Sequence, residues 1–462
     1  MAKSRRRPLL VFVVGVLLAA GLVTSFTHER NPSQLPSGLA VSINAESTAL
    51  YCTGLSNGGP RPGRVSFYNT SSGPRHLSIS VFSDKGTQWS GSIELAPHAL
   101  QSIEPSVLDQ SSTTAKGVTV SYGVAVQISG GGVVAEEIAY NDRAEVPCIS
   151  HGLTKWFATG FNTLVGSSAY LSVFNPTATS TVFNASIYTS DGITEPESFQ
   201  GLSVPAHAQR EINLGTEVVN TPNVGVRLKV LRGSLDVVGV QDSNGTLSYE
   251  QGLTTAANDV WFPNVTTVNK ATAQLSVMNP SARTANVSVK IQLGSFKIAP
   301  QTLTVLPYST GTLSINPNSA IPADGYANLA LTSSQPVVSA LVTGASTWIA
   351  LASPLTPGNA FLLHDFTGVG FDAVSVTNAS SHTLTVSVSS YDPATQTLVT
   401  DKEGITLAPD STKSLKNLLL LFPSSGSSNT YLITANKPDL VVSLTLPSTP
   451  SGVNVVSPLD GR

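Results

Sequence analysis

The sequence predicts an all-β chain of about four tandem immunoglobulin-like β-sandwiches that follow one N-terminal transmembrane or signal helix. Three observations carry this. A strand that ends in asparagine recurs four times at a nearly constant interval. Its residues alternate in polarity with period two, the signature of a strand with one buried face. And only 11% of residues are charged, against roughly 25% in an average soluble domain, with Ser, Thr, Val and Ala in their place.

The recurring strand reads Val65-Ser66-Phe67-Tyr68-Asn69, Leu171-Ser172-Val173-Phe174-Asn175, Leu275-Ser276-Val277-Met278-Asn279 and Val374-Ser375-Val376-Thr377-Asn378. The asparagines stand 106, 104 and 99 residues apart (175−69, 279−175, 378−279). Alternate side chains leave a strand on opposite faces, so Val65 and Phe67, and their counterparts, face a core. Asparagine can bond its own main chain two residues on and so ends the strand in a turn. Pro176 and Pro280 then block further ladder bonding. A partner strand follows in every copy: Leu77, Ile79 and Val81; Phe183, Ala185 and Ile187; Val287, Val289 and Ile291; Leu384, Val386 and Val388. This alternation predicts antiparallel sheets with one buried face.

Further markers recur at the same interval. Pro97, Pro205, Pro307 and Pro409 are 108, 102 and 102 apart (205−97, 307−205, 409−307). Val133-Val134, Val237-Val238, Val337-Val338 and Val441-Val442 mark a late hairpin, 104, 100 and 104 apart (237−133, 337−237, 441−337). Trp156-Phe157, Trp261-Phe262 and Phe361-Leu362 open the later units, with Trp156 and Trp261 as core candidates. Units of about 100 residues match the size of one sandwich.

In chain order, residues 1–7 form a basic cytoplasmic tail with Lys3, Arg5, Arg6 and Arg7. Residues 8–27 carry no charge; Leu9, Val11, Phe12, Val13, Val14, Val16, Leu17, Leu18, Leu22 and Val23 make them an uncleaved membrane anchor or a cleaved signal segment. The basic flank places everything beyond this segment outside the cytoplasm. Residues 28–45 form a stem, followed by units at 46–150, 151–256, 257–356 and 357–462. Net charge is −3, or −7 without the four basic residues of the tail (−3−4). That leaves no basic face for nucleic acid.

Chemistry-bearing patterns are sparse. Gly54-Leu55-Ser56-Asn57-Gly58 matches a nucleophile elbow in letters, but the Gly-Pro-Arg-Pro-Gly run after it cannot start the helix an elbow needs, so a flexible loop is expected. The seven histidines show no metal-ligand spacing. His98 and His207 both follow the repeated proline, which points to a shared turn role. Glu136 and Glu137 are adjacent and so face opposite ways along a strand; one is expected exposed and the other at an edge. Asn-x-Ser/Thr occurs at Asn69, Asn184, Asn244, Asn264, Asn286 and Asn378, as expected in a Ser- and Thr-rich chain. No catalytic, cofactor-binding or metal-binding residue is assigned, and no cofactor is expected.

Trp156-Phe157, Leu171 to Pro176, Val204-Pro205-Ala206-His207 and Val237-Val238 together resemble an uncharacterised family of bacterial extracytoplasmic β-sandwich repeats, a domain of unknown function found in high-GC Gram-positive secreted or anchored proteins. The resemblance spans nearly all of residues 46–462 and is weakest in the fourth unit. It implies fold and location and carries no activity. The expected role is therefore a non-catalytic structural or binding protein of the cell envelope. Its partner would be an unknown envelope protein or glycan, with membrane attachment through the N-terminal helix. An array of carbohydrate-binding modules is the alternative, and a hydrolase the third reading.

Cys52 and Cys148 are the only cysteines. One stands where the first unit opens and the other after its last strand. In an oxidising compartment they are expected to pair and staple the ends of that unit.

Overall fold

The computed structural model describes residues 47–455 apart from 59–61, 110–118, 140–143, 267–271, 294–295, 316–325, 346–347, 353–359, 365–372, 393–396, 417–429 and 446–452. The tail, the anchor or signal segment and the stem lie outside the described residues. Among the described residues no helix is long and apolar enough to cross a membrane.

The described chain is all-β, with antiparallel sheets that pair around buried clusters. The first stretch comprises β1 (Ser47–Ser56), β2 (Gly63–Asn69), β3 (Arg75–Ser83), β4 (Gly86–Leu95), β5 (Leu100–Ile103), the single helical turn α1 (Pro105–Leu108), β6 (Ser121–Ser129), β7 (Val133–Ala139) and β8 (Glu145–Pro147). Its two sheets run β1-β6-β3-β4 and β5-β2-β7-β8. The second stretch comprises β9 (Lys155–Phe161), β10 (Ser167–Asn175), β11 (Thr181–Thr189), β12 (Gly192–Thr194), β13 (Leu202–Val204), β14 (Ala208–Asn213), β15 (Val224–Arg232), β16 (Asp236–Ser243) and β17 (Thr246–Glu250). Here the orders are β12-β11-β15-β9, with β13 also on β11, and β14-β10-β16-β17.

In the third stretch come β18 (Ala257–Thr266), β19 (Thr272–Asn279), β20 (Ala285–Leu293), β21 (Phe296–Lys297), β22 (Gln301–Val305), β23 (Ser309–Ile315), β24 (Tyr326–Ala345) and β25 (Trp348–Ala352). The 20-residue β24 bonds β18 and β20 with one part and β19 and β25 with the other, so one strand serves both layers. The last stretch comprises β26 (Ala360–His364), β27 (Ala373–Asn378), β28 (Leu384–Asp392), β29 (Thr397–Leu407), β30 (Thr412–Lys416), β31 (Thr430–Ala435), β32 (Leu440–Thr445) and β33 (Val453–Val455), in sheets β26-β31-β28-β29 and β30-β27-β32-β33. We call these stretches the first to fourth sheet pairs.

Each sheet pair encloses a buried cluster, and the predicted alternation sets which residues enter it. Val65 and Phe67, Leu171 and Val173, Leu275 and Val277, and Val374 and Val376 all lie in these clusters. The clusters are not sealed from one another: Val238, Val240, Leu247 and Tyr249 of the second sheet pair pack into the first core.

The four asparagines all end equivalent strands, β2, β10, β19 and β27, and all make the same clamp. The side chain of Asn175 donates to the carbonyls of Thr179 (2.8 Å), Val204 (3.1 Å) and Pro205 (2.8 Å). Its Oδ1 accepts from the backbone N–H (3.0 Å) and the hydroxyl (2.7 Å) of Thr177. Asn69, Asn279 and Asn378 repeat every one of these bonds, with Ser71, Ser281 and Ser380 in the place of Thr177. At most 1% of each asparagine is exposed, so the clamp satisfies carbonyls that water cannot reach. The Asn-x-Ser/Thr match at Asn69 and Asn378 is thus a structural signature, and those amides are occupied.

The clamp also fixes register, and it corrects three sequence markers. The turn that it grips places a non-glycine residue at positive φ: His98 (51°), His207 (51°), Tyr308 (54°) and Asp410 (51°). Pro97, Pro307 and Pro409 each stand one residue before it, but Pro205 stands two before, in the slot of Ala96, Leu306 and Ala408. Trp156 pairs with Leu228 and is buried, 1% exposed, in the second core. Trp261 is not its equivalent. Val260 and Phe262 face the third core, while Trp261 points the other way and is half-buried. Counting from the clamp asparagine, Trp261 occupies the slot of Phe157 and Tyr51. The Val-Val pair is also out of step. The residue before the clamp asparagine faces Val134, Val338 and Val441 in three sheet pairs, but Asp236 in the second.

Cys52 and Cys148 form the expected disulfide, with Cα atoms 4.6 Å apart, beside the first core.

Candidate functional site: the seam between the first and second sheet pairs

The seam grows from the alternation of β1. Leu50 and Cys52 face the first core. Tyr51 and Thr53 face the other way, and there they meet the second sheet pair: Tyr51 packs against the second core, and the Thr53 hydroxyl lies 2.9 Å from that of Ser172. Ser172 also accepts from Gln209 Nε2 at 2.7 Å. Phe174, next to the clamp asparagine, projects onto Gly123 of β6, where a Cβ would lie 2.4 Å from its ring. It stacks on Phe82 at 5.4 Å, and Phe82 stacks on His207 at 5.5 Å.

Two carboxyls are enclosed in this seam. Glu137 stands on the core face of β7, opposite Val65, in the register slot that Gly239, Leu341 and Leu444 fill elsewhere. Asp236 stands on β16 in the slot of Val134, Val338 and Val441. Each is 1% exposed. Neither oxygen of Glu137, nor Oδ2 of Asp236, has a hydrogen-bond partner among the described residues. A Cβ on Gly54 would lie 2.9 Å from Glu137 Oε2 and 3.3 Å from the Tyr249 ring, so the acid is wedged between β1 and β17. The Tyr249 hydroxyl donates to the Gly54 carbonyl at 3.4 Å.

Burial raises the Glu137 carboxyl well above the usual range, and the nearby charge of Asp236 raises it further. Burial likewise raises Asp236, with partial opposition from the Val237 backbone N–H. Tyr51 is raised by burial and then by Asp236. These are the responses of acids that are easier to hold protonated than charged in a low-dielectric site.

Strand alternation alone predicts one residue of Glu136-Glu137 exposed and the other at an edge. Glu136 is half-buried, and Glu137 is enclosed because the second sheet pair covers that end of the first core. The sequence signal for Asp236 is its place directly before Val237-Val238, which stands out only once register is counted from the clamp. Ser56 lies at the end of β1 rather than in a flexible loop; it is 1% exposed and donates to the Gly58 carbonyl at 2.9 Å, which is no elbow geometry. His98 and His207 share the clamped turn, as expected. The side chain of Trp348 lies outside the described residues.

A separate cleft of about 810 Å³ opens at one end of the second sheet pair, where Asp191, Glu195, Glu217, Pro196, Val219 and Pro222 are among its lining residues. Its carboxylates are already engaged: Ser198 donates to Glu217 at 2.6 Å, Ser186 to Glu195 at 3.1 Å, and Arg227 pairs with Glu195 at 3.4 Å. Among the described residues no three His, Cys, Asp or Glu side chains converge as a metal site would require.

A family of unknown function, DUF5719, matches residues 144–253. That span covers the second sheet pair together with β8 and Cys148, so Asp236 falls inside it while Cys52 and Glu137 fall outside. No curated protein matches the chain.

Proposed function

We propose that the protein is a non-catalytic, extracytoplasmic spacer of a bacterial cell envelope, built as four tandem immunoglobulin-like sandwiches and held at the membrane by residues 8–27. The observation that carries this reading is the repeated joint. Thr53 with Ser172, and Thr159 with Ser276, form the same buried hydroxyl pair at 2.9 Å between consecutive sheet pairs. Both joints also seat a large side chain on a glycine, Phe174 on Gly123 and Met278 on Gly225. Joints of this kind resist bending, because neighbouring sheets share close-packed buried surface. The resemblance to envelope repeats of high-GC bacteria supports the location, and the disulfide fits an oxidising compartment.

A protein partner is the better companion for such a spacer than a glycan. Among the described residues, the lining of the cleft supplies hydroxyls, carboxylates, valines and prolines but no aromatic ring on which a sugar would stack. The test is crosslinking in intact source cells with the captured partner identified, combined with protease added from outside. External cleavage of the chain and capture of an envelope protein are expected. Full protection with the membrane intact would overturn the location. Capture of glycan alone would favour the carbohydrate-binding array.

A further inference from the structure

The deviations that single out Glu137 and Asp236 lie at one place. Each occupies a register position that is aliphatic or glycine in the other three sheet pairs, and they come from different sheet pairs, β7 of the first and β16 of the second. A stabilising seam would be expected to hold an uncharged residue there, as the valines, leucines and glycine of the rest of the repeat do. Two acids without hydrogen-bond partners on three of their oxygens are a costly substitute unless their protonation matters.

We propose that this seam is a proton-dependent joint: it stays closed while Glu137 and Asp236 carry their protons, and it loosens when they lose them. This rests on the reading of the chain as an extracytoplasmic array only for its biological setting; the joint itself follows from the geometry. Tyr51 from β1 and Tyr249 from β17 face the pair, β17 also carries the buried Glu250, and His207 reaches the seam through Phe82 and Phe174; Tyr51 responds to Asp236. The charge that acts on Glu137 is Asp236, of the same sign. Ionisation of either acid therefore meets an apolar wall of Val238, Val240 and Leu247, and ionisation of both adds repulsion across the seam. The disulfide at Cys52 and Cys148 holds the first sheet pair together beside the acids, so the response is confined to the contact between sheet pairs.

The sign follows from linkage. An acid raised in the folded state holds its proton more tightly there than in the opened state, where its value returns to about 4. Closure is then favoured most below about pH 4. It weakens as pH rises from there through the raised value, by up to about tenfold per pH unit for each acid that ionises.

The experiment is amide hydrogen exchange on the full chain between about pH 5 and about pH 8, corrected for intrinsic exchange. Wild type and the double variant Glu137→Gln, Asp236→Asn are compared. In wild type, protection at Tyr51 to Thr53 and Val237 to Val240 is expected to fall at least about tenfold across this range. Phe157 to Thr159, at the next joint, should hold steady as an internal control. The double variant should hold steady at both joints. An equal fall in the variant, or no fall in wild type, overturns the proposal. Infrared spectroscopy of the wild type supplies a second measurement that does not depend on the variant folding. A protonated carboxyl band that persists at about pH 6, above the range of an exposed acid, supports the joint. Absence of that band there overturns it. Failure here leaves the spacer reading untouched, since that reading stands or falls on partner capture and external cleavage.

Discussion

The first joint and the second are built on one plan and differ in where they put charge. Both pair a threonine of the opening strand with the serine three residues before the clamp asparagine, and both seat the residue before that asparagine on a glycine. The first joint then encloses Glu137 and Asp236. The second carries an ion pair at its rim, where Arg227 and Glu195 stand 3.4 Å apart with 30% and 56% of their side chains exposed. Behind them the joint closes on Tyr188, Leu253, Met278 and Val338. The same framework can thus carry a desolvated acid pair or a solvated ion pair. The first responds to pH because burial acts on the charged form alone, and the second responds weakly because water screens it.

Removing the disulfide should separate the two joints most sharply. Cys52→Ser with Cys148→Ser is expected to cost the first sheet pair about 2–5 kcal/mol. Urea unfolding followed by hydrogen exchange would place that loss at the first sheet pair and first joint. An equal loss at the second joint would mean that the two are one cooperative unit. The clamps should show the opposite, a likeness. Asn175→Ala and Asn279→Ala each strip hydrogen bonds from three carbonyls, and each is expected to cost about 3 kcal/mol. A large difference between the two in denaturant midpoint would show that the shared geometry does not carry shared energy.

The sockets should differ in a graded way. Gly123→Ala forces a Cβ to 2.4 Å from the rigid Phe174 ring, whereas Gly225→Ala meets the Met278 sulfur at 2.6 Å, on a side chain that can turn aside. Thermal unfolding should report about 2–3 kcal/mol for the first and about 1 kcal/mol for the second. Equal costs would show that the first joint yields as readily as the second. Smallest of all, Glu195→Gln at the rim should cost no more than about 0.5 kcal/mol, a difference that should vanish in high salt. A larger, salt-insensitive loss would move that ion pair into the joint proper.

Much of this was legible in the sequence, and the limits are instructive. The repeated asparagine strand located the clamps, yet the reason for the hydroxyl two residues on was hidden: Ser71 and Ser380 read only as parts of Asn-x-Ser/Thr matches, and Thr177 and Ser281 carry no signal, until their bonds to the asparagine are seen. Trp261, Pro205 and Val237-Val238 misled because similar letters recur one residue out of step. In a strand, one residue is the difference between facing the core and facing away. Ser56 shows the same limit from the other side, since the letters of an elbow fitted a strand end.

What the sequence by itself determined is the alternation, and with it which residues of β2, β10, β19 and β27 line each core and which two cysteines meet. Backbone geometry sends successive side chains to opposite faces, so period two is readable without a partner. Only the tertiary structure decided the fate of the outward faces, and of the end of the first core where Glu137 stands. Tyr51, Thr53, Glu137 and Asp236 owe their burial to residues on another sheet pair, and a carboxyl's affinity for its proton is set by those surroundings rather than by its neighbours in the chain.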